Sequence, residues 1–428
     1  MNRRTWSLRA VVAPLTLLVA THTAGAQHEG HDMAAMGGDS ARGYAHVMAQ
    51  AIPLVTRADP TAGGSAATQF AVTQLLLMGK ASFWRGHASV DAALNGEGVT
   101  MKHGELNTGA YGEGFVDRRH PHTYVHELML SALGNVSGAT YSVSAGRGFA
   151  SFGTDDPMMR PLVKFPINHH LSQILERATI TGALRAGKVI LEGSTFGGDE
   201  PSEPSSLPEA DRFGDSWSTR LTLLPRTGLE LQGSYARVAS PEQPTGFGLD
   251  QRKQSYSARG ISSDGMRYAL AEWARTVERD HDRDQAIFGY ESVLVEGALH
   301  AGPLKVALRL EQTERPEEER LADPSRTPRP STDLSINGIT RWRVGTLGVG
   351  APRVTAGWLS GFPFVEGAIL HAASRDARSL FTPQRLYGTS HFWMLTAGVR
   401  LRAGDPHARM GRYGVALPAG PAIGTMAH

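Results

Sequence analysis

The residues best suited to chemistry lie near the start of the chain. His28, His31, Met33 and Met36 place two imidazoles and two thioethers within the ten residues from Gln27 to Met36. Thioethers suit Cu(I), and imidazoles suit Cu(II) or Zn(II). On a flexible chain such donors capture a metal rather than build a rigid site around it. If the chain is cleaved before Gln27, the freed amine, the next amide and the His28 imidazole can chelate Cu(II) together. A solvated polar tail with incidental His and Met is the plain alternative. A second set follows the run Asp117-Arg118-Arg119-His120-Pro121-His122, and a third pair is His169-His170. His120, His122, His169 and His170 would form one metal site if the loop between them folded inward, with Asp155 or Asp156 adding an oxygen. Loop-fixing hydrogen bonds and salt bridges are the alternative for these residues. Copper is thus a possible ligand, and no cofactor is required.

Nucleophilic machinery is not signalled. The chain has no Gly-x-Ser-x-Gly elbow, no His-Glu-x-x-His and no phosphate-binding glycine loop. A hydrolase acting on lipid would have to gather His122, His126 and Ser131 from separate places. With no Cys in the chain, disulfides, thiolate metal sites and lipid attachment through a lipobox are excluded.

The elements that would position these residues are strands. Asn2, Arg3, Arg4 and Arg9 form a basic start, and Ala10 to Ala20 is an apolar run too short to span a bilayer. Ala24-Gly25-Ala26 completes a cleavage pattern, so residues 1–26 read as a signal peptide. Residues 27–65 read as a flexible His/Met-rich periplasmic extension, 66–403 as the body, and 404–428 as a C-terminal tail. Within the body the chain alternates at period two. Leu304, Val306, Leu308 and Leu310 oppose Lys305, Ala307, Arg309 and Glu311. Trp217, Leu221 and Leu223 likewise oppose Ser218, Arg220 and Thr222, and Trp393, Leu395, Val399 and Leu401 oppose Thr396, Arg400 and Arg402.

Short turns alternate with long polar loops near 95–120, 148–172, 197–215, 239–252, 278–286, 315–331 and 362–389. That rhythm belongs to outer-membrane barrels, with short periplasmic turns and long outer loops. Seven long loops imply an all-β, transmembrane antiparallel β-barrel of about 14 strands, within a range of 12–16. A soluble sandwich would show mixed loop lengths at both ends. The dense turn formers from Gly146 to Pro161 suit a folded loop, either constricting the channel or decorating its rim.

If the Leu and Trp positions face lipid, Arg220, Lys305, Arg309, Arg341, Arg343, Arg400 and Arg402 face the lumen, partly balanced by Glu192, Glu230 and Glu311. Rings of such cations favour anions in a pore. Removing Arg3, Arg4 and Arg9 from 43 basic residues leaves 40 against 41 acidic, a net charge of −1, which argues against a nucleic-acid partner.

Together the His/Met-rich start, the run Asp117-Arg118-x-His120-Pro121-His122 and the pair His169-His170 resemble a porin-like family of outer-membrane β-barrels from Gram-negative cells. Segments 188–196, Glu200, Asp215-Ser216, Ser234-Tyr235 and Ser240-Pro241-Glu242 share that resemblance. The chain departs from it after the His pair, with Leu171-Ser172-Gln173 and Ile174-Leu175-Glu176 where the family carries Trp and a polar Asp-Ser run. The N-terminal stretch is also similar to that of copper-resistance outer-membrane proteins. The resemblance implies a cell outer-membrane location and a passive channel for small solutes, with a link to copper handling. A barrel enzyme acting on lipid, or a non-conducting structural or metal-binding barrel, is the alternative. The implied partners are outer-membrane lipid, the barrel assembly machinery, and small solutes or metal ions.

Overall fold

A computed structural model describes residues 44–61, 64–101, 104–109, 114–115, 122–154, 156–167, 171–201, 203–207, 211–243, 245–318, 336–404 and 409–417. His28, His31, Met33, Met36, His120, His169, His170 and Asp155 lie outside these residues.

Long alternating segments pair with their sequence neighbours throughout. The strands are β1 (Ala45–Asp59), β2 (Ala67–Phe83), β3 (Ala88–Asn95), β4 (Val125–Val136), β5 (Ala139–Gly148), β6 (Arg177–Ala186), β7 (Val189–Phe196) and β8 (Ser216–Arg226). They continue as β9 (Leu229–Val238), β10 (Asp250–Ile261), β11 (Arg267–Arg279), β12 (Ala286–Ala301), β13 (Leu304–Glu318), β14 (Ile336–Gly350), β15 (Leu359–Ser374) and β16 (His391–Gly404). Every neighbouring pair is antiparallel, and β16 pairs back onto β1, with Ala51 opposite Leu401 and Asp59 opposite Trp393. The ring is therefore closed, and no barrel strand is left with an open edge. A short strand, Val354–Ala356, pairs only with β15 and lies outside the ring.

The result is a closed antiparallel barrel of 16 strands, at the upper end of the expected range. Connections at one end are short, including 137–138, 187–188, 227–228 and 302–303. Those at the other are mostly long, such as 96–124, 149–176, 197–215, 319–335 and 375–390.

One boundary is corrected. The chain up to residue 65 does not all lie outside the barrel, because Ala45–Asp59 is its first strand. Its inward positions Met48, Ile52 and Leu54 are as apolar as its outward Val47, Ala49 and Val55, so the polar alternation that marks the other strands is blurred. A second strand pair hides in 67–95, split by the turn Trp84–Gly86.

The barrel is built inside out relative to a soluble protein. Leu308, Leu310, Val293, Val295, Leu347, Ile369 and Leu395 face outward and are exposed. In a bilayer that belt meets lipid, while the closed ladder satisfies every strand's backbone groups. The inward positions carry small polar and charged side chains. Thr56, Thr73, Ser255, Thr276, Ser292, Thr340 and Thr396 are each 0 % exposed. Polar residues sealed from solvent on the inner wall mean that something else fills the lumen.

Candidate functional site

Filling comes from residues 104–109, whose Leu106 packs with Ile167 and Trp342, and from two longer segments. The first is the connection 149–176, which leaves β5 and folds into the barrel instead of projecting from its rim. Its apolar residues bury against the inner wall, with Phe149, Met158, Met159 and Phe165 packing beside Met48 and Met78. Polar anchors hold the rest. Glu366 on β15 accepts from the Val163 and Lys164 amides at 2.6 and 3.1 Å. Glu311 on β13 accepts from the Ile167 amide at 2.9 Å. The Ser194 hydroxyl on β7 donates to Ser151 at 2.8 Å, and Lys164 pairs with Glu105 at 2.5 Å. Asp156 is spent locally, accepting from the Met158 amide at 2.7 Å at the head of a single helical turn. The path requires glycine at residue 153, where φ is +70° and an added Cβ would lie 1.5 Å from the Ser172 carbonyl oxygen.

The second filler is the tail, residues 409–417. Gly411 N–H and Tyr413 O–H both donate to Glu127 Oε1 on β4, at 2.8 and 2.6 Å. Tyr413 Oη in turn accepts from the Phe149 amide at 2.8 Å, which joins the two fillers. Arg412 reaches Glu192 on β7 at 2.9 Å and Thr222 on β8 at 3.2 Å. Glu192 also receives Arg220 from β8, at 2.7 and 2.5 Å, and Arg220 donates to the Gly411 carbonyl at 2.9 Å. One buried carboxylate therefore sits between two buried guanidiniums, one from the wall and one from the tail. Arg409 adds a 2.6 Å contact to Glu230 on β9.

At the long-loop end, two histidines tie the entry to β4 against its surroundings. His122 Nδ1 lies 2.7 Å from Glu97 Oε2, and His126 Nδ1 bonds to Glu176. The Thr123 amide donates to both Glu176 oxygens, at 3.0 and 3.1 Å. Burial opposes charge on His122 and Glu97, but their shared hydrogen bond and attraction prevail. Glu97 is held down to about 2, and His122 is lifted to about 9 with help from Glu176 and Asp156. The Glu97 contribution to stability is complete above 4.5 and is lost as pH falls through about 2. That of His122 is complete below 6.5 and is lost as pH rises through about 9. Glu97→Gln should drop the His122 value from about 9 toward 6.5 or below, read by NMR titration of the imidazole; an unmoved titration would contradict the pairing.

Ser131 does not join these imidazoles, since its hydroxyl lies 2.7 Å from that of Ser144. Among the described residues no group of three or more His, Cys, Asp or Glu is arranged to hold a metal ion.

Comparison with known proteins finds no matching family model and no matching curated sequence. Solved structures do match. The anion-selective porin from Comamonas acidovorans is 13 % identical, with a TM-score of 0.51 over 85 % of this chain and 100 % of that one. The chain has the porin fold. Also similar are the outer membrane channel DcaP of Acinetobacter baumannii, at 8 % identity and a TM-score of 0.49 over 85 % of this chain and 97 % of that one, and OmpT of Vibrio cholerae in its trimer form, at 10 % identity and 0.48 over 85 % and 99 %.

Within the porin fold the lumen cations divide into two groups. Arg220, Arg309, Arg400 and Arg402 point inward and are buried, and Lys305 shares their face. Arg341 and Arg343 do not, which corrects the expectation that they line the lumen. On β14 it is Trp342 that points inward, fully buried and packed on Tyr387 and Phe392, with the Arg315 guanidinium 5.2 Å from its ring centre. Period two then turns its neighbours outward, where Arg341 pairs with Glu314 at 2.8 Å and Arg343 donates to Gln312 at 3.0 Å. Glu127, Glu366 and Lys164 are anchors that sequence reasoning missed. Their partners lie between 58 and 286 residues away, and no local pattern signals them.

Proposed function

We propose that the protein is a porin-like outer-membrane channel for small solutes, favouring anions, whose lumen is closed at rest by residues 149–176 and 409–417. It is exported by cleavage of residues 1–26 and is not an enzyme. The observation that carries the reading is the way the fillers are attached. Many of the contacts that hold both to the wall are hydrogen bonds and ion pairs, which exchange with water at small net cost, and the strand ladder closes without either segment, so they can leave without unfolding the barrel, at the cost of exposing apolar residues such as Phe149 and Met158. The inward Arg400 and Arg402, which have no salt bridge among the described residues, support the anion preference, whereas Arg220 and Arg309 are paired with Glu192 and Glu296.

Planar-bilayer recording under a salt gradient tests this. Currents should be small or intermittent, with a reversal potential on the anion side. A cation-side reversal would contradict the lumen assignment, and permanent silence under every condition would leave a non-conducting structural barrel.

Copper handling enters through residues 27–38, whose His28, His31, Met33 and Met36 supply the donors. Copper titration should lose its signal when 27–38 are deleted and keep it when His120, His122, His169 and His170 are replaced by Ala. The reverse pattern would move the metal to the long-loop end. Binding no tighter than that of an unrelated barrel would end the copper reading.

A further inference from the structure

Beneath the tip of the 149–176 segment lies a cavity of about 270 Å³ that the plug does not fill. Leu162 and Phe364 are among its apolar walls, and His300, Lys305, Glu366 and Arg400 are among its polar ones. The β12–β13 turn and the β14–β15 connection contribute its rim, so it lies at the short-turn end. In outer-membrane barrels that end faces the periplasm.

The charges here do not balance. Glu366 is the carboxylate in the lining, and both of its oxygens are occupied by the Val163 and Lys164 amides. Lys305 has no hydrogen bond or ion pair among the described residues. Arg400 is buried, 6 % exposed, and its Nε has no partner; its Nη2 reaches only the Arg160 carbonyl, at 3.4 Å. Behind it, Arg402 is also buried and pairs with the neutral Gln50 at 2.8 Å rather than with a carboxylate. Burying cations without a counter-charge is costly. Glu366 offsets one of the two cations that line this space, the buried Arg400 and the half-buried Lys305, and the remaining charge can be supplied from outside.

We propose that this cavity is a binding site for a small organic monocarboxylate with a compact apolar body, entering from the short-turn end. The carboxylate bonds to Arg400 and Lys305, while the body lies against Leu162 and Phe364. The volume equals that of about nine liquid waters, enough for one aromatic ring and its carboxylate. This deepens the channel reading by naming a solute class, yet it makes a claim about binding that does not require current.

The test is calorimetric titration of the full-length protein in detergent with benzoate as probe, beside benzyl alcohol, which lacks the charge, and acetate, which lacks the ring. Benzoate should bind at least roughly tenfold more tightly than either, and Lys305→Met or Arg400→Gln should each weaken it by roughly tenfold, the scale of one charge-assisted hydrogen bond. Heat-modifiable gel mobility checks that each variant is folded, and Lys305→Met, nearer the rim, serves if Arg400→Gln does not fold. No saturable benzoate binding, equal binding of benzyl alcohol, or unchanged binding in folded Lys305→Met would each overturn the site. Binding without bilayer current would sink the channel reading and spare the site. Current without binding would do the opposite.

Discussion

Deleting residues 405–428 should convert a barrel that conducts little into one that conducts steadily. The tail touches Glu127, Ser142, Glu192, Glu230 and Gln232, so it occupies the side of the lumen bounded by β4 to β9. Much of the wall there is polar, and water can replace the tail's hydrogen bonds, though Ala416 and Val415 also pack on Ala183 and Ile190. The strands themselves keep their complete ladder, because β16 ends at Gly404 and still pairs with β1. The variant should therefore stay folded, with an outer-membrane location and heat-modifiable mobility unchanged, while its bilayer conductance rises in steps. Unchanged conductance in a folded variant would mean that residues 149–176 close the lumen without the tail.

The largest loss of stability is expected at Glu192. This carboxylate is buried, and Arg220 and Arg412 both point at it. Glu192→Ala leaves two guanidiniums facing each other without a counter-charge. Breaking a buried pair from one side costs about 3–5 kcal/mol, and denaturant unfolding in detergent should show a loss on that scale. Arg412→Leu should cost less, because Arg220 still neutralises Glu192. If the two variants proved equally stable, Glu192 would not be the centre of the network.

Much of the fold was legible in the sequence, since a membrane barrel writes its two faces into alternate positions. Leu304 to Glu311 and Trp393 to Arg402 reveal their inner and outer sides directly. β1 was not legible, because Met48, Ile52 and Leu54 face a lumen whose filler is itself apolar there. The misplaced Arg341 and Arg343 have the same origin. A tryptophan on a membrane strand ordinarily faces lipid, but Trp342 faces the aromatic cluster formed with Tyr387 and Phe392. The site was less legible than the fold. His122 is conspicuous in the sequence, yet its partner Glu97 lies 25 residues earlier. The tail's Arg409, Arg412 and Tyr413 follow the last strand with no period to mark them as buried.

Whether the lumen is filled at rest can be measured directly, because the chain has no cysteine. Thr222 is 0 % exposed on the inner wall and accepts from Arg412 at 3.2 Å, whereas Thr227 is exposed in the next short turn. Thr222→Cys and Thr227→Cys should be treated with a membrane-impermeant, water-soluble thiol reagent, in the full-length protein and after deletion of 405–428. Rapid labelling is expected at 227 in both forms, and labelling at 222 only after the deletion. Labelling at 222 in the full-length protein as fast as at 227 would contradict a lumen filled at rest.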